Sequence, residues 1–281
     1  MPAPVGSNDN NIIFETGTSE TERLALQHEI IKDHMKDLIK APLDLSKPGL
    51  KILDQATADG IWLKDVAAVA PAQHEYVGTD IVDSYYPNPP PPHTKFFSQS
   101  MTADWPAELQ GTFDLVHSRL ALPGAGTNPP RDVVQRLVDL VKPGGFIQQI
   151  EMVFTQWPKL GPAMKDLHQA SVDVFSIAVG GQDLHYMKAL EKWYAEMGLE
   201  DIHSEVYTIP IGAKAETERM RQMSIESFTA TSQSLSETAK VMPPISVSPE
   251  KLATLPTRLR QELTEVGGTW QVFAIWAHKK A

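Results

Sequence analysis

Short apolar runs punctuate the first half of the chain, and each closes on polar residues. Leu50, Ile52 and Leu53 lead to Asp54, and Tyr76 and Val77 lead to Thr79 and Asp80. Phe96 and Phe97 lead to Ser98, and Phe113, Leu115 and Val116 lead to His117, Ser118 and Arg119. A further run from Phe146 to Glu151 follows Lys142-Pro143-Gly144-Gly145. Runs this short and this apolar predict strands buried on both faces of a parallel sheet. Between them, Ile61–Val69 and Arg131–Val141 place apolar residues at helical spacing. Steady strand–helix alternation implies right-handed crossovers.

An amphipathic helix is predicted upstream, from an N-cap at Ser19 to Lys40, with Pro42 ending it. Arg23, Gln27, His28 and His34 sit on it. They form either a solvated or partner-facing surface, or the underside of a lid, with Arg23 and Gln27 on a ligand and His28 towards a substrate. Past residue 156 the pattern turns helical. Leu160–Val179, Leu184–Met197, Ala213–Thr238 and Pro249–Val266 read as helices, while Ile202–Ile211 and Thr269–His278 read as strands. Two late strands around a helical insertion predict an antiparallel edge hairpin split by a cap. Met220, Met223, Phe228 and Met242 in that cap line an apolar pocket, with Met223 on the substrate, or fill ordinary helical core. Four consecutive prolines after Asn88 predict a stiff loop, with a partner-docking motif as the alternative.

The expected fold is α/β: a Rossmann-like, doubly wound, mostly parallel sheet with an antiparallel edge hairpin and a helical cap insertion. Residues 1–18 are expected to be a flexible N-terminus and 19–42 a lid helix. Residues 43–210 and 267–281 form the nucleoside-binding domain, and 211–266 the substrate cap.

Composition narrows the function. The 281 residues carry a formal net charge of -10, which disfavours nucleic-acid partners because phosphate binding needs basic patches. The absence of cysteine excludes disulfides and thiolate chemistry. No His and carboxylate cluster shows metal-ligand spacing, and no run has membrane-spanning length. A soluble cytoplasmic protein, monomeric or homodimeric, acting on a small molecule is the expectation.

The chemistry concentrates at the ends of the apolar runs, where open α/β sheets bind ligands. Asp54 and the small-residue turn Ala56-Thr57-Ala58-Asp59-Gly60 join the first strand to its helix. Asp80, about twenty residues on, ends the second strand, where an acid accepts hydrogen bonds from ribose hydroxyls. Met101 is an adenine wall or core filler. His117 is a general base or a packed histidine. Arg119 is a bidentate partner for a carboxylate.

Together, Leu53-Asp54-Gln55-Ala56-Thr57-Ala58-Asp59-Gly60-Ile61-Trp62, Val77-Gly78-Thr79-Asp80, Phe113-Asp114-Leu115-Val116-His117-Ser118-Arg119 and Leu140-Val141-Lys142-Pro143-Gly144-Gly145 resemble the ordered motifs of class I S-adenosylmethionine-dependent methyltransferases. They look most like those of fungal secondary metabolism that methylate oxygen or nitrogen on cyclic-dipeptide and polyketide products. The resemblance covers residues 20–155. It implies S-adenosyl-L-methionine as cofactor. Asp54, Ala56, Gly60 and Trp62 would hold the methionine part, with Arg23 and Gln27 above it. Asp80 would take the ribose, and Ile81, Met101 and Thr102 the adenine. His117 and Ser118 would lie beneath the sulfonium, with Arg119 on the substrate. Two positions depart from the family: Ala58 where glycine is usual, and Ser100-Met101 where the third strand's acid is usual. A methyltransferase-like protein without transfer activity, serving as a regulatory partner or as catalyst of another reaction, is the alternative. A nicotinamide-dependent oxidoreductase is disfavoured by the single glycine left in the first turn.

Overall fold

The structure is a computed structural model that describes residues 12–14, 16–155 and 157–281. Helix α1 (Thr18–Met35) precedes an alternating series: β1 (Lys51–Gln55), α2 (Ile61–Val69), β2 (Glu75–Asp80), β3 (Thr94–Ser98), β4 (Phe113–Arg119), α3 (Pro130–Leu140) and β5 (Val141–Met152). Then come α4 (Pro162–Ala178), α5 (Tyr186–Glu196), β6 (Leu199–Ile211), α6 (Glu218–Val241), α7 (Pro249–Glu265) and β7 (Gly268–Lys279). The strands form one seven-stranded sheet in the order β3-β2-β1-β4-β5-β7-β6. β1 to β5 pair in parallel, and β7 runs antiparallel between β5 and β6. This is the expected doubly wound sheet with its antiparallel edge. The order reverses between β1 and β4, and the tips of these strands open into a crevice there.

Several boundaries differ from the sequence reading: the first helix begins at Thr18 with Gly17, not Ser19, as its N-cap, and β6 begins at Leu199 rather than Ile202. The first helix stops at Met35 rather than Lys40, because Lys36 takes a left-handed conformation (φ 65°) as its C-cap. The chain beyond is tied to the sheet instead: Gln148 accepts from the Lys40 amide at 2.5 Å and donates to the Leu38 carbonyl at 3.1 Å. β5 begins at Val141, so Lys142-Pro143-Gly144-Gly145 is a bulge inside the strand rather than a turn before it. A Cβ on Gly145 would stand 2.9 Å from the Phe113 carbonyl, so glycine lets the two backbones meet. The cap's first helix starts at Glu218, where the Thr217 hydroxyl accepts from the Met220 amide.

Part of the N-terminal segment lies over the crevice. Residues 1–11 lie outside the described residues, but Ile12, Ile13 and Phe14 pack on the crevice. The Phe14 ring meets Phe175 edge-on at 6.1 Å and lies under the Arg23 guanidinium at 5.3 Å. Ile13 and Phe14 are half-buried there, which removes apolar surface from water, while Ile12 stays exposed.

Candidate functional site

The crevice at the strand tips holds a cavity of about 300 Å³, within the range of small-molecule sites. Asp54 and Asp80 both line it. The β1–β2 register sets Asp54 beside Gly78 and Gln55 beside Thr79, which brings the two acids to neighbouring tips. The turn after β1 then folds onto β2. The Thr57 amide donates to the Thr79 carbonyl at 2.9 Å, and the Ala58 amide donates to Asp80 Oδ2 at 2.9 Å. Ala56 and Ala58 hold φ of 57° and 50°, conformations glycine adopts more easily. The turn keeps that path at a cost of about 1 kcal/mol per alanine. Gly60 does not line the cavity. Its φ is 77°, and a Cβ there would lie 2.6 Å from the Phe96 ring, so its role is close packing, not ligand contact.

Asp80 accepts from two backbone amides, of Ala58 and Val82, which leaves lone pairs for a ligand diol. Burial pushes its pKa up, and the nearby Asp54 charge adds to this. Tyr86, just ahead of the proline run, steadies the acid. Its hydroxyl accepts from the Asp80 amide at 2.7 Å, and its ring stacks on Phe96 at 5.1 Å. Among the residues assigned to adenine, Ile81 and Met101 line the cavity, joined by Val82, Tyr85 and Ser100. Thr102 does not; its hydroxyl bonds Ser100 at 2.9 Å and so supports the wall from behind.

His117 is not a base facing the ligand. It is fully buried and absent from the cavity wall. Its Nδ1 meets Asp54 Oδ1 at 2.7 Å, and its ring stacks flat on Trp62 at 3.8 Å. The carboxylate only accepts, so Nδ1 carries the proton. Burial lowers the pKa of His117 and keeps it neutral. The histidine therefore orients Asp54, whose other oxygen accepts from Thr57 Oγ1 at 2.7 Å. Trp62 lines the cavity above this stack. Ser118 also points away from the cavity, donating to Gln55 Oε1 at 2.9 Å, and it is Gln55 that reaches the wall.

Helix α1 covers the crevice. Arg23, Gln27, Leu24 and Glu20 line it. Arg23 is already engaged, through Nε and Nη2, with the Glu20 carboxylate at 2.8 and 2.7 Å. His28 does not reach the cavity. It is buried between Arg119, whose Nη2 donates to its Nδ1 at 2.9 Å, and Asp65, which its Nε2 meets at 3.0 Å. Arg has no acceptor, so Nδ1 is bare and Nε2 carries the proton. Burial first, then Arg119, lowers the pKa of His28 to about 4. Arg119 lines the cavity with no carboxylate within 4.0 Å among the described residues. His28, Glu29 and Asp65 also gather metal-type ligand atoms, but the Lys32 ammonium sits between the two acids at 2.5 and 2.6 Å and supplies the charge.

The far end of the cavity is apolar. Met152, Phe154, Phe175 and Trp270 form it, with Ser171 and Glu151 as its polar groups. Met220, Met223, Phe228 and Met242 do not reach it. Phe228 packs edge-on against Trp270, and Met242 packs on the core formed by α4, α6 and α7. Of the cap helices, Thr231 alone among the described residues reaches the wall. Trp270 and Phe175 stand closer, so the ends of β5 and β7 and the middle of α4 shape this chamber.

A sulfonium nucleoside fits these groups. Asp80 offers free lone pairs for a ribose diol, Arg119 offers a guanidinium with no carboxylate partner among the described residues, and Asp54 and Asp59 face a positive centre. No protein-family model matches the chain. It is 33% identical to the methyltransferase psoC of Aspergillus fumigatus, over 92% of this chain and 97% of that one. It is 40% identical to the N-methyltransferase sirN of Leptosphaeria maculans, over 73% and 72%. It is 32% identical to the N-methyltransferase tcpN of Claviceps purpurea, over 93% and 95%. The fold matches the YcgJ protein of Bacillus subtilis with a TM-score of 0.53, at 12% identity over 92% of this chain and 99% of that one. It also matches a Haemonchus contortus phosphoethanolamine N-methyltransferase, solved with S-adenosylhomocysteine, with a TM-score of 0.50 at 15% identity over 93% and 53%. The chain belongs to the S-adenosylmethionine-dependent methyltransferases of fungal secondary metabolism.

Proposed function

We propose that this methyltransferase transfers its methyl group to a ring nitrogen of a small, largely apolar metabolite of the cyclic-dipeptide type. The observation that carries this reading is one continuous cavity with Asp54 and Asp80 at one end and an aromatic chamber at the other. The N-methyltransferases among the relatives favour nitrogen over oxygen. Asp80 takes the ribose hydroxyls, and Ile81, Val82, Tyr85 and Met101 enclose the base. Arg119, held by His28, takes the methionine carboxylate, a reassignment from the substrate to the cofactor. Gln27 closes the cavity from above.

The cofactor supplies a methyl carbon already activated by the positive sulfur. The protein's work is then to align the acceptor and exclude water. Phe154, Phe175 and Trp270 present apolar faces for a ring-bearing acceptor, and α1 and Phe14 line the cavity beside them. Among the described residues no helix is long and apolar enough to cross a membrane. A small acceptor met in the cytoplasm by a monomer or homodimer completes the reading, with residues 211–266 as a cap bracing the chamber from outside.

Incubation with S-adenosylmethionine and aromatic cyclic dipeptides, read by S-adenosylhomocysteine release and a one-methyl mass gain on nitrogen, tests this. Methylation confined to oxygen would overturn the nitrogen assignment, and methylation of acyclic acceptors only would overturn the cyclic-dipeptide assignment.

A further inference from the structure

Glu151, next to last in the final parallel strand, lines the aromatic chamber. It is 1% exposed. Its Oε1 accepts from the Ala121 amide at 3.2 Å and the Leu122 amide at 3.0 Å. Its Oε2 is buried with no hydrogen-bond partner among the described residues. A buried carboxylate oxygen left without a donor is costly, so native structures seldom leave one without a use. Among the described residues Oε2 holds nothing in place: the Ala121 and Leu122 amides go to Oε1, and the Leu120 amide goes to the Ile150 carbonyl at 2.7 Å.

We propose that Glu151 Oε2 is the proton acceptor for the methylated nitrogen, a catalytic residue. The inference rests on the nitrogen reading above. The nitrogen lone pair forms the new N–C bond, and the electron pair of the broken C–S bond stays on sulfur. The N–H bonding pair stays on nitrogen while its proton passes to Oε2. Glu151 returns that proton to solvent as product leaves. The dry wall of Met152, Phe154 and Phe175 makes the carboxylate a stronger base than it is in water. Burial raises the Glu151 pKa to about 8. The titratable groups nearest it are Tyr186 and Tyr194 on α5; burial raises both, so they stay neutral.

Glu151→Gln is a clean test. The amide oxygen still accepts from Ala121 and Leu122, but the other atom can no longer take a proton. Wild type and variant are assayed with S-adenosylmethionine and the aromatic cyclic dipeptides, across pH 6 to 9. The thermal shift given by S-adenosylhomocysteine is recorded for each. The expected result is an equal thermal shift in both proteins and a fall in kcat of about 100-fold or more. Wild-type turnover rises with pH towards about 8 and the residual activity of the variant does not. An infrared titration should show a protonated carboxyl band in wild type at pH 6 that fades by pH 9 and is missing from Glu151→Gln. Near wild-type turnover in the variant, or a Glu151 carboxylate already ionised at pH 6, overturns the role of Glu151 and leaves the nitrogen reading standing. Wild type that binds S-adenosylhomocysteine but methylates no cyclic dipeptide overturns both.

Discussion

Asp54 shows how one residue's neighbours decide another's role. It accepts from His117 and from Thr57, and so spends a buried histidine on its own orientation. His117→Phe would keep the ring stack on Trp62 but leave Asp54 Oδ1 without a donor. A loss of about 1–3 kcal/mol in stability is expected, by urea unfolding, together with weaker cofactor binding. The pH profile of turnover should not move, and a profile that did move would restore His117 as a base. Asp54 and Asp80 were legible in the sequence because an acid closing an apolar run lies at a strand's ligand-facing tip. The fate of His117 was not. It depends on Trp62, which reaches the ring across the sheet by a path that no local pattern carries. Ser118 and Thr102 failed for a related reason: each backs a lining residue, and a polar side chain's direction is set by its partner in space.

At the scale of elements, α1 is the part whose role depends on one titratable group. Its hold on the sheet runs through His28 to Arg119 on β4 and Asp65 on α2, with Lys32 beside them. His28 has a pKa of about 4 in the fold against 6.5 in the open chain. Between those values the unfolded state binds a proton that the native state refuses, so stability rises with pH through this window and is lost as pH falls. Each pKa unit is worth about 1.4 kcal/mol, so the loss is on the order of 3 kcal/mol. His28→Gln keeps an acceptor for Arg119 and a donor for Asp65. It should flatten this part of the acid slope when urea unfolding is compared at pH 7 and about pH 4.5. An unchanged slope would mean that His28 is already protonated in the fold. The helix itself was legible from its periodicity. Its early end was not, because Lys36 turns left-handed where the chain is drawn down to Gln148 on β5, a contact about 110 residues away in sequence.

At the scale of the molecule, the sheet order follows from alternation and handedness, which is why the architecture could be read before any coordinates. The cavity's two ends differ in this respect. The nucleoside end is built from consecutive turns of β1 and β2, and its residues stand out in linear order. The acceptor end is assembled from β5, α4, β7 and the segment around Phe14, which are distant in sequence. Glu151 and Phe175 therefore look, in the sequence, like an ordinary strand end and an ordinary helix interior, while the cap methionines look better placed than they are.

The nucleoside end is the claim on which the rest depends, and thermal unfolding of wild type and Asp80→Ala with S-adenosylhomocysteine tests it most directly. A ligand at 100 times its Kd adds about 2.7 kcal/mol, which for a chain of this size is a rise in Tm of about 5–10 °C. Wild type should show that rise with S-adenosylhomocysteine and none with NAD, and Asp80→Ala should lose it. An Asp80→Ala protein that gains as much as wild type would place the cofactor elsewhere.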